Sequence, residues 1–190
     1  AENYGVQIEQ KQAHQIVQIF RESYLEIPQC WFAIEEAYTD VLKEGTTRVK
    51  REIGPDGSIK FDKISFLNPD GQRRFVLRIQ LPSGRFLHYL DARIEDQKKP
   101  WKDEDGNDVY GPTFTYAGTN QKTKGWFNNT TSHGGKVFEN IVQGIARDVL
   151  AIKMLEIEEN GLKTVGHVHD ECVTEMIDCC FQPGFQEMIQ

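Results

Sequence analysis

The sequence predicts an α+β fold, and three observations carry that prediction. Apolar residues recur at helical spacing over residues 9–25 and again over 28–44. Residues 46–93 then alternate apolar with polar residues and are cut by three turns of Pro-x-Gly form. Residues 136–159 return to a helical stripe, and two short strand-like runs close the pattern at 162–168 and 172–177.

Each element has its own local reason. Ala13, Ile16, Val17, Phe20 and Tyr24 fall on one face of the first helix. Pro28 opens the second, which carries Trp31, Ile34, Ala37, Tyr38 and Val41 and stops at Gly45. Both helices are expected to be packing elements. In the β-rich stretch, Pro55-Asp56-Gly57, Pro69-Asp70-Gly71 and Pro82-Ser83-Gly84 mark hairpin turns, because Pro fixes φ and Gly accepts φ > 0. Residues 95–108 (EDQKKPWKDEDGND) are charged and turn-rich, so a surface loop is expected there. Val137, Phe138, Ile141, Val142, Ile145, Val149, Ile152 and Leu155 make the broad stripe of the long helix, which Gly161 ends.

Composition narrows the class. The chain has 190 residues, 38% hydrophobic and 27% charged, which reads as globular rather than disordered. No apolar run is long enough to span a bilayer, and the first residues lack a signal peptide's basic start and apolar core. The absence of an initiator Met fits a processed or excised piece. Cys30, Cys172, Cys179 and Cys180 include no C-x-x-C pair, so a structural zinc site is not expected, and free thiols in a reducing compartment are the simpler reading. A net charge of −7 argues against nonspecific nucleic-acid binding by the whole surface. Local distribution points the other way in one place. Residues 109–137 contain no Asp or Glu in a chain with 29 of them. They carry Lys122, Lys124 and Lys136 with Tyr110, Phe114, Tyr116, Trp126 and Phe127 interleaved. Such a strip suits a nucleic-acid backbone, with aromatics stacking on bases, and equally suits a polar loop whose aromatics complete a core.

The stretch LKTVGHVHDECVTEM places His169-Asp170-Glu171 between two strand-like runs. Three readings stand. The triplet is plain turn chemistry. His167 and His169, two apart and so on one strand face, bind a transition metal together with a carboxylate. Or the tip projects a rigid carboxylate into a cleft.

Context favours the last. GGKVFENIVQGIARDVLAIKMLEIEENGLKTVGHVHDE resembles the C-terminal palm segment of family A DNA polymerases, the DNA polymerase I type, and in particular their bacteriophage and prophage branch. His169-Asp170-Glu171 is similar to that family's third polymerase motif, and Gln143-Gly144-Ile145-Ala146-Arg147-Asp148 to the helix before it. LPSGRFLHY, YAGTNQKTKGW and FRESYLEIPQCW also resemble phage members, so the likeness covers nearly the whole chain.

The resemblance implies a small antiparallel palm sheet with the His-Asp-Glu hairpin, packed on the long helix. It adds N-terminal helices from the fingers side (1–45), a hairpin-rich insertion (46–108) and the palm segment (109–190). It implies template-directed DNA synthesis by a two-Mg²⁺ mechanism, with primer–template DNA and deoxynucleoside triphosphates as partners, no membrane, and a bacterial host's cytoplasm as the location. Asp170 would be the metal ligand, Glu171 an accessory acid, and His169 a neighbour of the primer terminus. Gln143 matches a residue that reads the minor groove, a contact blind to sequence. The family's frequent Asn four residues earlier is Glu139 here, with Asn140 beside it. Lys136, Arg147, Lys122 and Lys124 are the candidate phosphate contacts.

Two family motifs have no counterpart in these residues: the strand carrying the other metal-binding Asp, and the Arg-x-x-x-Lys helix that holds the incoming triphosphate. The chain is therefore expected to be a polymerase fragment, inactive alone. Two other readings stay open: a non-catalytic remnant that grips primer–template DNA, and a metal-dependent hydrolase using His167, His169 and Asp170.

Overall fold

In the computed structural model, residues 8–43, 51–54, 57–102, 106–119 and 124–175 are described. Gly45, the Pro55-Asp56 part of the first turn, Lys122, Cys179 and Cys180 lie outside them. The described elements are α1 (Gln10–Ser23), α2 (Glu26–Lys43), β1 (Arg51–Ile53), β2 (Ile59–Leu67), β3 (Arg73–Gln80), β4 (Phe86–Lys102), β5 (Asp108–Thr119), β6 (Trp126–Ser132), α3 (Gly134–Glu159), β7 (Lys163–Val168) and β8 (Glu171–Glu175). The α+β prediction holds. Contacts divide the chain into two units after Ile141.

The first unit is built on an antiparallel six-stranded sheet in chain order, β1 to β6. That order follows from its turns. Gly71 and Gly84 take φ of 74° and 87°, the left-handed conformation a tight turn needs, so β2 folds directly onto β3 and β3 onto β4. Asn68 closes the first of these turns by accepting the Gln72 N–H on its side-chain oxygen at 2.8 Å. One face of the sheet takes α2, whose Ile34, Ala37, Tyr38 and Val41 are buried. Phe61, Leu77, Ile79, Leu81, Tyr89, Ala92 and Phe114 from the strands are buried too, with Val137 and Ile141 from the first turns of α3. Each large apolar side chain so enclosed contributes roughly 1.5–3 kcal/mol before conformational entropy is subtracted.

Aromatic rings fix the centre of this core. Phe114 stacks on Tyr38 at 4.7 Å between centroids, and Tyr89 meets both Phe114 and Tyr116 edge-on. Phe114 and Tyr116 thus answer part of the ambiguity about the acid-free strip: they belong to the core cluster. Lys63 is buried as well, and its ammonium donates to the Leu42 carbonyl at the C-terminal end of α2 (3.4 Å), where a cation suits the helix dipole.

Two expectations need correction. Residues 95–102 are strand, not loop, because β4 continues to Lys102 and pairs with β5. Among the described residues β4 pairs with β3 from Phe86 to Leu90 and beyond that with β5 alone, so charged side chains such as Asp96 and Lys98 keep access to water. The apolar stripe of α1 is the second. Ile16, Val17, Ile19, Phe20 and Tyr24 are exposed, so among the described residues α1 does not pack into the core as expected.

The second unit comprises α3 from Val142 onward and the hairpin of β7 and β8. Gly161 at φ 86° ends the helix, its N–H returning to the Glu158 carbonyl at 2.9 Å. β7 and β8 form a sheet of their own. The stripe that predicted the helix is largely uncovered here: Val142, Val149, Ile152 and Leu155 are exposed, while Ile145, Leu150, Met154 and Ile157 are half-buried.

Candidate functional site

The hairpin in the second unit puts His169 and Asp170 in a two-residue turn, since Val168 pairs with Glu171 across it and His167 with Cys172. His169 has φ 55°. A β-carbon makes that conformation unfavourable, and glycine is the usual occupant of such a turn position. All three residues of the triplet are exposed, and Glu171 opens β8. The turn therefore offers two adjacent carboxylates to solvent from a strand-anchored loop. Among the described residues no three His, Cys, Asp or Glu side chains converge as a metal cluster, so the His167–His169–Asp170 arrangement is not assembled as a site.

The start of α3 belongs to the first unit and is pressed against α2. A β-carbon on Gly134 would overlap the Trp31 carbonyl oxygen and lie 3.0 Å from the carbonyl carbon. Only glycine permits that approach. Lys136 is exposed and ion-pairs with Glu139 at 2.9 Å, a surface pair worth at most about 1 kcal/mol and easily exchanged for a phosphate. Asn140 is half-buried and donates through Nδ2 to the Tyr89 hydroxyl at 2.9 Å. That bond ties α3 to β4, and it engages the amide nitrogen that a minor-groove contact would use. Burial pushes the Tyr89 hydroxyl up to about 12, with the Asn140 bond acting in the opposite direction. Further along α3, in the second unit, Gln143 and Arg147 are exposed. Neither side chain has a hydrogen-bond or ion-pair partner among the described residues.

In the acid-free strip the aromatics divide. Phe114 and Tyr116 are in the core cluster, whereas Tyr110, Trp126 and Phe127 are exposed on β5 and β6. Lys124 is exposed at φ 55°, two residues before Trp126.

Two features were not foreseen from the sequence. Asp91 takes φ 50° at an irregularity in β4, where it is held by Arg93 at 2.9 Å and Arg74 at 3.4 Å. Charge pairs between residues distant in sequence leave no periodic signal. The Gly134 contact with Trp31 was equally hidden, although two consecutive glycines at the start of a strong helix are a sign of close approach.

No protein-family model matches the chain, and no solved structure matches it. A search of curated proteins finds a protein named DNA polymerase from Bacillus phage SP02, 34% identical over 162 residues. The likeness is to a segment of a phage DNA polymerase. The aligned region takes in 85% of this chain and 21% of that protein, so the chain spans about a fifth of the relative's length. No helix among the described residues is long and apolar enough to cross a membrane.

Proposed function

We propose that this chain works as part of a DNA-directed DNA polymerase of family A, contributing the His-Asp-Glu hairpin of the catalytic centre and a helix that grips primer–template DNA. The observation that carries the reading is the hairpin tip that presents Asp170 in its two-residue turn and Glu171 at the first position of β8, in a chain 34% identical to a phage DNA polymerase over 162 residues. The substrates on this reading are primer–template DNA and deoxynucleoside triphosphates.

The donor set fits magnesium. Mg²⁺ takes oxygen ligands, usually one or two carboxylates with water and phosphate oxygens completing the shell. Asp170 would supply the ligand, with Glu171 next to it in the chain. When bound, the ions lower the cost of charge on the attacking and leaving oxygens. His169 sits beside the carboxylate and orients the primer end. Its left-handed backbone is strain of the kind that collects at functional turns, where it fixes the direction of the neighbouring side chain.

On α3, Lys136 and Arg147 contact phosphates, and Gln143 reads the shape of the minor groove without reading sequence. Asn140 serves mainly to hold the helix on Tyr89. Lys124 adds a phosphate contact from the acid-free strip, and the sequence assigns Lys122 the same role. The second carboxylate strand and the triphosphate-binding helix have no counterpart in these 190 residues. Positioning and electrostatics supply nearly all catalysis of phosphoryl transfer, so the chain by itself is expected not to extend a primer.

The test is a chimera in which this chain replaces the matching 162-residue segment of the phage SP02 polymerase. Primer extension should survive the exchange and fall at least about a hundredfold with Asp170→Asn, the loss of several kcal/mol of charge stabilisation. A chimera that extends primers equally well with and without the Asp170→Asn change would refute the assignment.

A further inference from the structure

One edge of β4 is open over the second half of the strand. Its pairing with β3 ends at Leu90, at the irregularity where Asp91 takes φ 50° and the strand bends. Among the described residues, Arg93 to Lys98 pair with β5 alone. Pro112 stands opposite Asp96 and has no N–H to give, so theirs is a non-hydrogen-bonded pair. Asp96 and Lys98, two apart, therefore turn their own N–H and C=O groups to the unpaired side. A row of such groups is a template for a further strand.

Charge selects which strand. The edge reads Glu95-Asp96-Gln97-Lys98-Lys99, an order that is self-complementary about Gln97. Laid antiparallel on a second copy with Gln97 at the two-fold axis, Asp96 meets Lys98 and Glu95 meets Lys99, each pair occurring twice. A shift of two residues in either sense sets Asp96 against Asp96 or Lys98 against Lys98, and like charges directly opposite are destabilising. One register is thus favoured over its neighbours. Edges defended against pairing carry charge that repels a copy, whereas this order attracts one. Asp96 and Lys98 are both exposed. Lys98 ion-pairs with Asp108 on β5 at 2.5 Å while more than half of its side chain stays exposed, and an ammonium has donors for a second carboxylate. Glu95 and Lys99 are half-buried and held along their own ribbon. Glu95 accepts from Arg93 and Gln97, and Lys99 crosses Gly111 to the Pro112 carbonyl and the Thr113 hydroxyl, both at 2.8 Å. The Asp96–Lys98 pairs carry the contact, and the outer pairs frame it.

We propose that the open edge of β4 joins two copies of this chain, antiparallel and centred on Gln97, so that the two sheets continue across a two-fold axis. The proposal does not draw on the polymerase reading. The shared ladder is short, so association is weak and depends on concentration.

The experiment is sedimentation equilibrium of the full 190-residue chain at low salt, from about 10 μM to about 1 mM. Asp96→Lys and Lys98→Asp are each measured alone and then as an equal mixture. Both positions are exposed, and circular dichroism checks that the variants keep the fold. The expected result is a wild-type dimer, a rise of about tenfold or more in Kd for each variant alone, and recovery in the mixture, where every facing Asp96–Lys98 position again carries opposite charge. The double variant Asp96→Lys/Lys98→Asp exchanges the two charges and should dimerise like wild type, which keeps the test decisive if either single variant misfolds. A wild type that stays monomeric across this range overturns the proposal. A wild-type dimer insensitive to both single changes places the contact on another surface and also overturns it. Loss of the dimer in both variants, with recovery in neither the mixture nor the double variant, means that the charges act on the fold and refutes the facing register.

Discussion

Replacing Gly134 with alanine should be among the most damaging single-methyl additions in the first unit. The new β-carbon would overlap the Trp31 carbonyl oxygen and stand 3.0 Å from the carbonyl carbon and 3.2 Å from the Glu35 β-carbon. Carbon contacts are at their optimum near roughly 3.5–4.0 Å, so α2 and the start of α3 must part by on the order of 1 Å. The obstacle is backbone inside a helix, which cannot rotate away as a side chain does. Separation also draws Val137 and Ile141, both fully buried, off the sheet. Overpacking of this kind costs about 1–3 kcal/mol, and the rigidity of the obstacle puts Gly134→Ala near the top. The better helix propensity of alanine returns less than about 1 kcal/mol, and least at the first helical residue. A net loss of about 2 kcal/mol corresponds to a drop in Tm of about 4–8 °C for a chain of this size. Gly135→Ala is the internal control: its nearest neighbours are His133 ring atoms at 3.2 and 3.3 Å, and that exposed side chain can move. Its effect should stay within about 0.5 kcal/mol. Thermal and urea unfolding of both variants decide the matter. Equal stability of Gly134→Ala and wild type would refute the tight α2–α3 contact.

Other outcomes follow from the same geometry. His169→Gly relieves the left-handed strain and should stabilise the hairpin by about 1 kcal/mol, read by proteolysis or hydrogen exchange of β7 and β8; a loss of protection would contradict the turn conformation. Arg93→Ala removes bonds to Asp91, Glu95 and the Asn128 carbonyl, so it should cost about 1–3 kcal/mol in urea unfolding, and a neutral result would mean the cluster is ornamental. Tyr89 titrates near 12 and Tyr38 is also raised, both chiefly through desolvation. The unfolded chain loses these protons near pH 10, so stability present below pH 10 falls as pH rises from about 10 toward 12. Tyrosinate absorbance followed alongside unfolding should show this, and ordinary titration near 10 while the chain stays folded would contradict the burial.

Legibility in the sequence tracked periodicity. α2, α3, and the hairpins closed by Gly71 and Gly84 were readable because spacing and turn residues act locally. β4 beyond Leu90 was not, since a strand paired on one side tolerates the charge and proline content of a loop. α1 was read as a helix, but its spacing said nothing about what its apolar face would meet. At the site, the His-Asp-Glu turn was legible as a motif, and its strained backbone was not. Asn140 was legible as a polar helix residue, but the Tyr89 hydroxyl that engages it lies 51 residues away in the chain. Contacts between distant segments leave no trace in local pattern.

The central claim is that this chain carries a polymerase's hold on duplex DNA. The most direct measurement is anisotropy of a labelled primer–template duplex titrated with salt, for wild type, Lys136→Ala, Arg147→Ala and Gln143→Ala. The account predicts steeply salt-dependent binding, with each cation removed lowering the slope by about one, while Gln143→Ala weakens affinity without altering the slope. Absence of duplex binding at low salt, or affinity untouched by all three changes, would contradict it.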